Sequence, residues 1–217
     1  MTILALEFSS PQRSVALARD DSLLSEAIRA GDRGTAALAM INEVLTEAKL
    51  QPCDIQTIVV GLGPGSYTGV RAAIAMAQGW QLALGTRTLG LDSIAAIAAQ
   101  AQAENIFGRV NVVVDAQRNE FYCAAYEITE SRLSPIRPLM ILPAAEAQSR
   151  ARRGEILIGP EAARHFPGSR TVFPRAAALA KLAAGRNDFL PCEKLEPVYL
   201  RETTFLKAQP NVLRKPE

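Results

Sequence analysis

The sequence predicts an α/β protein in which two mixed sheets, each covered by helices, form a complete first lobe and a reduced second one. Three observations predict it. The first half of the chain reads strand, strand, strand, helix, strand, helix, strand, helix, which is the order of a mixed sheet with helices packed on it. A glycine-rich loop, "GLGPGSYTGVR" over residues 61–71, joins a short apolar run to an alanine-rich helical stretch. The strand–turn–strand rhythm of "ILALEFSSPQRSVALARD" then returns at "VNVVVDAQRNEFYCAAYEI", as a duplicated unit requires.

Taken in order, "ILALEF" and "SVALARD" are strands across the turn "SSPQR", and "SLLSEAIRA" after Asp20 and Asp21 completes an antiparallel meander. Between residues 35 and about 49, helical spacing puts Leu38, Ile41, Val44, Leu45 and Ala48 on one face, and "TIVVGLG" follows as a short buried strand. A helix over residues 69–84, the strand "TRTLGLD" and a helix from Ser93 finish the first lobe, residues 1–106. The second lobe, residues 107–217, begins near Arg109. Its later pieces, "SPIRPLMILP", "EILIGP" and the helical "PRAAALAKLAAGR", are too short to rebuild the whole first unit.

Composition narrows the function. With 217 residues, 48% hydrophobic and 21% charged, the chain has the make-up of a globular protein, not of a disordered one. Its formal net charge of +2 is spread along the sequence, so charge alone predicts no nucleic-acid groove. Cys53, Cys123 and Cys192 are odd in number and far apart, which fits a reduced compartment, the cytoplasm, and neither a disulfide framework nor a zinc site. The start, "MTILALEFSS", lacks a basic region, and its apolar run is too short for a signal peptide or a membrane span.

The glycine loop fails the common phosphate-binding and nucleophile patterns. After Gly69 come Val70 and Arg71 where a Walker A loop needs Lys and Ser or Thr. Counted from Gly61 or Gly63, the third glycine of a dinucleotide fingerprint falls on Ser66 or Thr68. A nucleophile elbow at Ser66 would need glycines where Pro64 and Thr68 stand. The lone histidine, His165, has no acid partner in sequence. What remains is geometric: Gly63 and Gly65 can take positive φ, Ser66 or Thr68 can cap the helix, and the loop's N–H groups form a candidate anion site. Arg71, near the start of that helix, opposes the helix dipole and needs either an acid such as Glu7 or Asp115, or a bound phosphate. Glu7 and Asp115 end the two matching strands, where they are either ordinary strand-end acids or holders of a metal–nucleotide complex.

In "VRAAIAMAQGWQLAL", helical pitch confines Arg71, Gln78 and Gln81 to one narrow stripe. Val70, Ile74, Ala77, Trp80 and Leu84 make a bulky face; Ala72, Ala75, Gly79 and Ala83 make a smooth one that another helix can approach closely. The bulky face should pack on the chain's own sheet and the smooth face on another subunit. The helix is too short to cross a bilayer and carries an arginine.

These residues resemble a known family. "ILALEFSS" followed by "SVAL", "VVGLGPGSYTGVRAAIAMAQGWQLAL", "VVVDAQRNEFYCAAYE" and "EPVYLR" at residues 196–201 resemble the bacterial TsaB (YeaZ) proteins, in the family's order and over most of the chain. The resemblance implies an actin-like, sugar-kinase-like ATPase fold of two ribonuclease-H-like lobes, the second degenerate. It implies a non-catalytic subunit in the synthesis of threonylcarbamoyladenosine beside the tRNA anticodon. Its expected partners are a catalytic TsaD-type paralogue, a TsaE-type ATPase subunit, tRNA through the complex, and a second copy of itself when alone. No cofactor is expected on this chain alone, with ATP and magnesium entering at the level of the complex. The expected partner-facing residues are Ala72, Ala75, Met76, Gly79 and Ala83, with Met40 from the preceding helix. Glu7, Gly63, Gly65, Ser66, Arg71 and Asp115 mark the expected anion or nucleotide vicinity. The family commonly has Asp in place of Glu7 and a His-Ser or His-Thr pair where Arg33 and Gly34 align. Rival activities are a small-molecule kinase or ATPase of the same fold, and a glycopeptidase-like hydrolase, for which the chain lacks a metal set and a nucleophile with a base.

Overall fold

A computed structural model describes residues 1–30 and 37–200; Arg33, Gly34 and Arg201 lie outside the described residues. Strands β1 (Thr2–Glu7), β2 (Gln12–Arg19) and β3 (Ser22–Ala30) form the expected antiparallel meander, with Leu4 opposite Leu17 and Leu6 opposite Val15. Strands β4 (Thr57–Gly61) and β5 (Arg87–Leu91) add to it in parallel, giving the order β3-β2-β1-β4-β5. Both faces of this sheet are buried, which is why β1 and β4 are apolar nearly throughout.

The second sheet holds β6 (Gly108–Asp115), β7 (Glu120–Ile128), β8 (Leu133–Pro143), β9 (Ile156–Gly159) and β10 (Arg170–Thr171), in the order β10-β9-β6-β7-β8. Read outward from its first strand, this is the first sheet again: two antiparallel neighbours on one side and two parallel ones on the other. The duplication is therefore complete in strand order. The reduction expected for this lobe lies in length, with four residues in β9 and two in β10.

Side-chain alternation along the strands builds the layers. On one face of the first sheet, Leu4, Leu6, Val15, Leu17, Ile58 and Val60 pack on α1 (Ala37–Glu47) and α2 (Tyr67–Leu84). On the other, Ile3, Ala5, Ala16, Ala18 and Val59 pack on α6 (Ala176–Ala183), which comes from the end of the chain. Val110, Val112 and Val114 of the second sheet pack on Ile94, Ile97, Ala98 and Ala101 of α3 (Ser93–Ala103). Val113, Phe121, Cys123 and Leu157 face away from α3 and share a core with α4 (Ala144–Arg152) and α5 (Ala162–His165). The protein is thus a five-layer stack of helices, sheet, helices, sheet and helices, in which two lobes repeat one strand order. The strands sort into sheets by sequence, but helices α3 and α6 cross over: each packs on the sheet of the other half. Glu26 on β3 anchors α6 by accepting hydrogen bonds from Arg175 Nε at 3.1 Å and from the Ala177 amide at 3.1 Å.

Two helix faces differ from expectation. In α1, Leu38 is 63% exposed and Met40 takes its place in the core at 2%. Met40 is therefore part of the chain's own core and presents no surface to a partner. In α2 the bulky face is buried at Val70, Ile74 and Ala77, but Leu84, the last residue of the helix, is 47% exposed.

Candidate functional site: an interlobe cleft and an open helix face

The residues that follow β1 and those that end β6 line one cleft together with the glycine loop. The loop lies hard against the residues after β1: the Ser66 amide donates to the Ser9 carbonyl at 2.6 Å, and a Cβ at Gly65, whose φ is +149°, would stand 2.1 Å from that same oxygen. Only glycine fits there. The Gly63 amide donates to Ser93 Oγ at 3.1 Å, and the Ser93 amide donates to the Gly63 carbonyl at 2.8 Å. Ser66 caps α2, its Oγ accepting from the Gly69 amide at 3.2 Å, and Gly85 closes the helix in the left-handed region at φ +67°.

These contacts shape one wall of a cleft of about 460 Å³ between the lobes, lined by Ser9, Ser10, Arg13, Gly65 and Ser66 from the first and by Asp115, Gln117, Glu161 and Arg164 from the second. Asp115 Oδ1 accepts from the Gln117 amide at 2.7 Å. Burial, and then the charge of Asp115, hold the Glu161 carboxyl above its ordinary range. The cleft combines two carboxylates, two guanidiniums and the capped start of a long helix, and so suits a polar, anionic guest.

Of the residues expected around an anion, Gly65, Ser66 and Asp115 line this cleft, and Gly63 is buried directly behind it. Glu7 and Arg71 do not line it. Glu7 is fully buried, accepting from the Ser9 amide at 2.7 Å and from Ser93 Oγ at 2.8 Å. Arg71 reaches neither Glu7 nor Asp115; its guanidinium lies 4.4 Å from the centroid of the Tyr67 ring. The hydrogen bonds explain why: Glu7 is already satisfied by Ser9 and Ser93, and Arg71 points away along the outside of α2. Arg13, Glu161 and Arg164 were not legible as site residues, since Arg13 lies on β2, Glu161 and Arg164 lie in the distant stretch "PEAARH", and only folding brings the two segments to one cleft. His165 packs edge-on to Phe121, with ring centroids 5.0 Å apart. Among the described residues no group of three or more His, Cys, Asp or Glu is placed to hold a metal ion.

The outer face of α2 is the second feature. Ala75, Gly79 and Ala83 are exposed, Ala72 and Met76 half-buried, and a Cβ at Gly79 would meet nothing within 4 Å. Leu82 is 90% exposed. With Leu38 and Ile41 of α1 and with Pro52, the residues Met76, Gly79, Trp80, Ala83 and Leu84 line an apolar groove of about 440 Å³. No helix of the described residues is long and apolar enough to cross a membrane.

A two-lobed α/β protein, with a polar cleft between its lobes and an open helical face on the first, is the class these features define. The chain belongs to the family described as "TsaD: tRNA N6-adenosine threonylcarbamoyltransferase", which it matches over residues 34–184, and within it to the TsaB (YeaZ) proteins. It is 30% identical over 140 residues to the "tRNA threonylcarbamoyladenosine biosynthesis protein TsaB" of Bacillus subtilis, covering 64% of this chain and 60% of that one. To the protein of the same description in Escherichia coli it is 32% identical over 132 residues, covering 60% of this chain and 57% of that one. The chain thus spans about 60% of the length of these curated relatives. The solved structure of YeaZ from Pseudomonas aeruginosa superposes with a TM-score of 0.77 at 26% identity, covering 92% of this chain and 99% of that one. A second structure, described as having similarity to peptidase YEAZ from Pseudomonas aeruginosa, superposes equally well at 28% identity.

Proposed function

We propose that this chain is a non-catalytic scaffold subunit in the formation of N6-threonylcarbamoyladenosine in tRNA, and that it binds a catalytic TsaD-type paralogue through α1 and α2. The observation that carries this is the open face of α2. Ala75, Gly79 and Ala83 allow close helix approach, and Leu38, Leu82 and Leu84 are large apolar side chains left on the surface beside them. A second copy of the chain would use the same face when the paralogue is absent. The non-catalytic role is supported by how the candidate chemical groups are occupied: Ser66 Oγ caps a helix, and His165 packs on Phe121. A TsaE-type ATPase subunit, tRNA, ATP and magnesium join at the level of the complex.

Gly79→Arg tests the interface. Gly79 is exposed with open space around it, so the variant should fold as the parent does by circular dichroism. It should fail to co-elute with the TsaD-type protein and fail to support tRNA modification, since an unpaired charge buried in a contact costs several kcal/mol. Normal co-elution would place the interface elsewhere.

The cleft favours a second reading, a kinase or ATPase acting on a small molecule, with Asp115 and the start of α2 around a magnesium nucleotide. Calorimetric titration of the isolated chain with ATP and magnesium separates the two. Tight binding supports the kinase, and its absence supports the scaffold.

A further inference from the structure

At the end of α2 opposite the groove, three side chains form a surface cluster that the interface does not use. Tyr67 opens the helix and is 52% exposed; Tyr199, 42% exposed, lies against it with ring centroids 5.4 Å apart and a tilt of 33°. Arg71, one turn further along the same face, lays its guanidinium over the Tyr67 ring at 4.4 Å. Among the described residues Arg71 enters no salt bridge and no hydrogen bond, so its full charge faces outward. Two tyrosine rings left half in water serve no core. A guanidinium fixed flat on one of them, with no carboxylate partner among the described residues, is pre-organised for a planar or phosphate-bearing guest. The amides of Tyr67 and Thr68, in the first turn of α2, add donors without a partner among the described residues.

We propose that Tyr67, Tyr199 and Arg71 form a stacking platform for unpaired RNA bases, with the rings taking a base and Arg71 an adjoining phosphate. Aromatic faces beside an arginine are what single-stranded nucleic acid recognises without a base-specific code. The choice of RNA rests on the tRNA-modification role proposed above; the platform itself rests on the three side chains. From Arg71 to Trp80 a helix rises roughly 13 Å, so a protein partner on the groove and an RNA strand on the platform can be bound together.

The test uses the full chain and a dye-labelled RNA hairpin with an unpaired loop, with a blunt duplex of the same stem as control. Anisotropy should show binding that needs the loop and weakens with added salt. Tyr67→Ala and Tyr199→Ala should each weaken it about tenfold or more, the scale of one lost base stack. Tyr67→Phe and Tyr199→Phe should bind as the parent does, and all four variants should still co-elute with the TsaD-type protein. A photoactivatable uridine in the loop should cross-link to the peptides carrying Tyr67 or Tyr199. Three results overturn the platform: no loop-dependent binding by the parent chain, unchanged affinity in both alanine variants, or alanine variants that lose the TsaD-type protein while RNA binding persists. Failure of the scaffold role reads out separately, as a parent chain that binds the hairpin but never co-elutes with the paralogue.

Discussion

Ser93, the first residue of α3, donates its hydroxyl to the carboxylate of Glu7, the last residue of β1, at 2.8 Å, and both are fully buried. The same hydroxyl oxygen accepts from the Gly63 amide at 3.1 Å, so a single serine ties the glycine loop to the end of the central strand. Among the described residues no ion pair reaches Glu7, and its other hydrogen bonds come from Ser9, whose amide donates at 2.7 Å. Burial therefore dominates, and it pushes the carboxyl above its ordinary value of 4.5 against the pull of the Ser9 and Ser93 bonds.

A carboxyl raised in the folded state binds its proton more tightly there than in the unfolded chain. Its contribution to stability is then greatest below 4.5 and is lost as pH rises through the folded value. Glu7→Gln removes this titration while keeping the shape. Thermal melts from mildly acidic to neutral pH should show the variant gaining on the parent as pH rises, then holding a constant lead. A gain of about 1 kcal/mol would raise Tm by about 2–4 °C. A difference that shrinks with rising pH would mean that Glu7 is stabilised as the anion.

Gly61 and Glu7 share one space. A Cβ at position 61 would stand 2.0 Å from Glu7 Oε2 and 2.9 Å from Ser93 Oγ. Gly61→Ala should cost about 1–3 kcal/mol, the usual penalty of overpacking, measured by urea denaturation. In a Glu7→Asp background the shorter side chain draws back from that space, so the same substitution should cost less. Additive costs in the double variant would show that the clash is with Ser93 alone.

Ser66→Ala removes the cap that holds the Gly69 amide at 3.2 Å. Thermal or urea denaturation should register a loss of about 0.5–2 kcal/mol. Modification in the reconstituted complex should remain close to that of the parent at a temperature where both are folded. A stable variant with abolished activity would give the hydroxyl a chemical role.

The strands of the first lobe were legible along the chain because each carries its own apolar run and its own turn residues, and so was the repeat between β1–β2 and β6–β7; β10, two exposed residues, has no such run and was not. Helix α4 was not, because "AAEAQSRAR" has no apolar stripe: its buried residues are Ala147 and Arg150, and the arginine is held by Asn111 at 3.2 Å and Glu146 at 2.8 Å. Exchanging Leu38 for Met40 on α1 is a matter of helix rotation, since both fit an apolar periodicity and only the docked sheet decides between them. The cap at Ser66 and the smooth stripe on α2 followed from local chemistry. The partner of Arg71 was missed although it is local, since Tyr67 lies one helical turn before it; the pairing of Tyr67 with Tyr199 did need the fold, which returns the far end of the sequence to the start of α2.

The crossed helices constrain how the cleft can move. With α3 seated on the second sheet and α6 on the first, two separate stretches of chain bridge the lobes, and Arg175 fastens the second of them to Glu26. The lobes meet along the seam where α3 packs on α6, around Ala96, Ala99, Ala178 and Ala180. Each helix travels with the sheet it is seated on, so any opening of the cleft must bend both chain crossings together, the one that enters α3 and the one that enters α6.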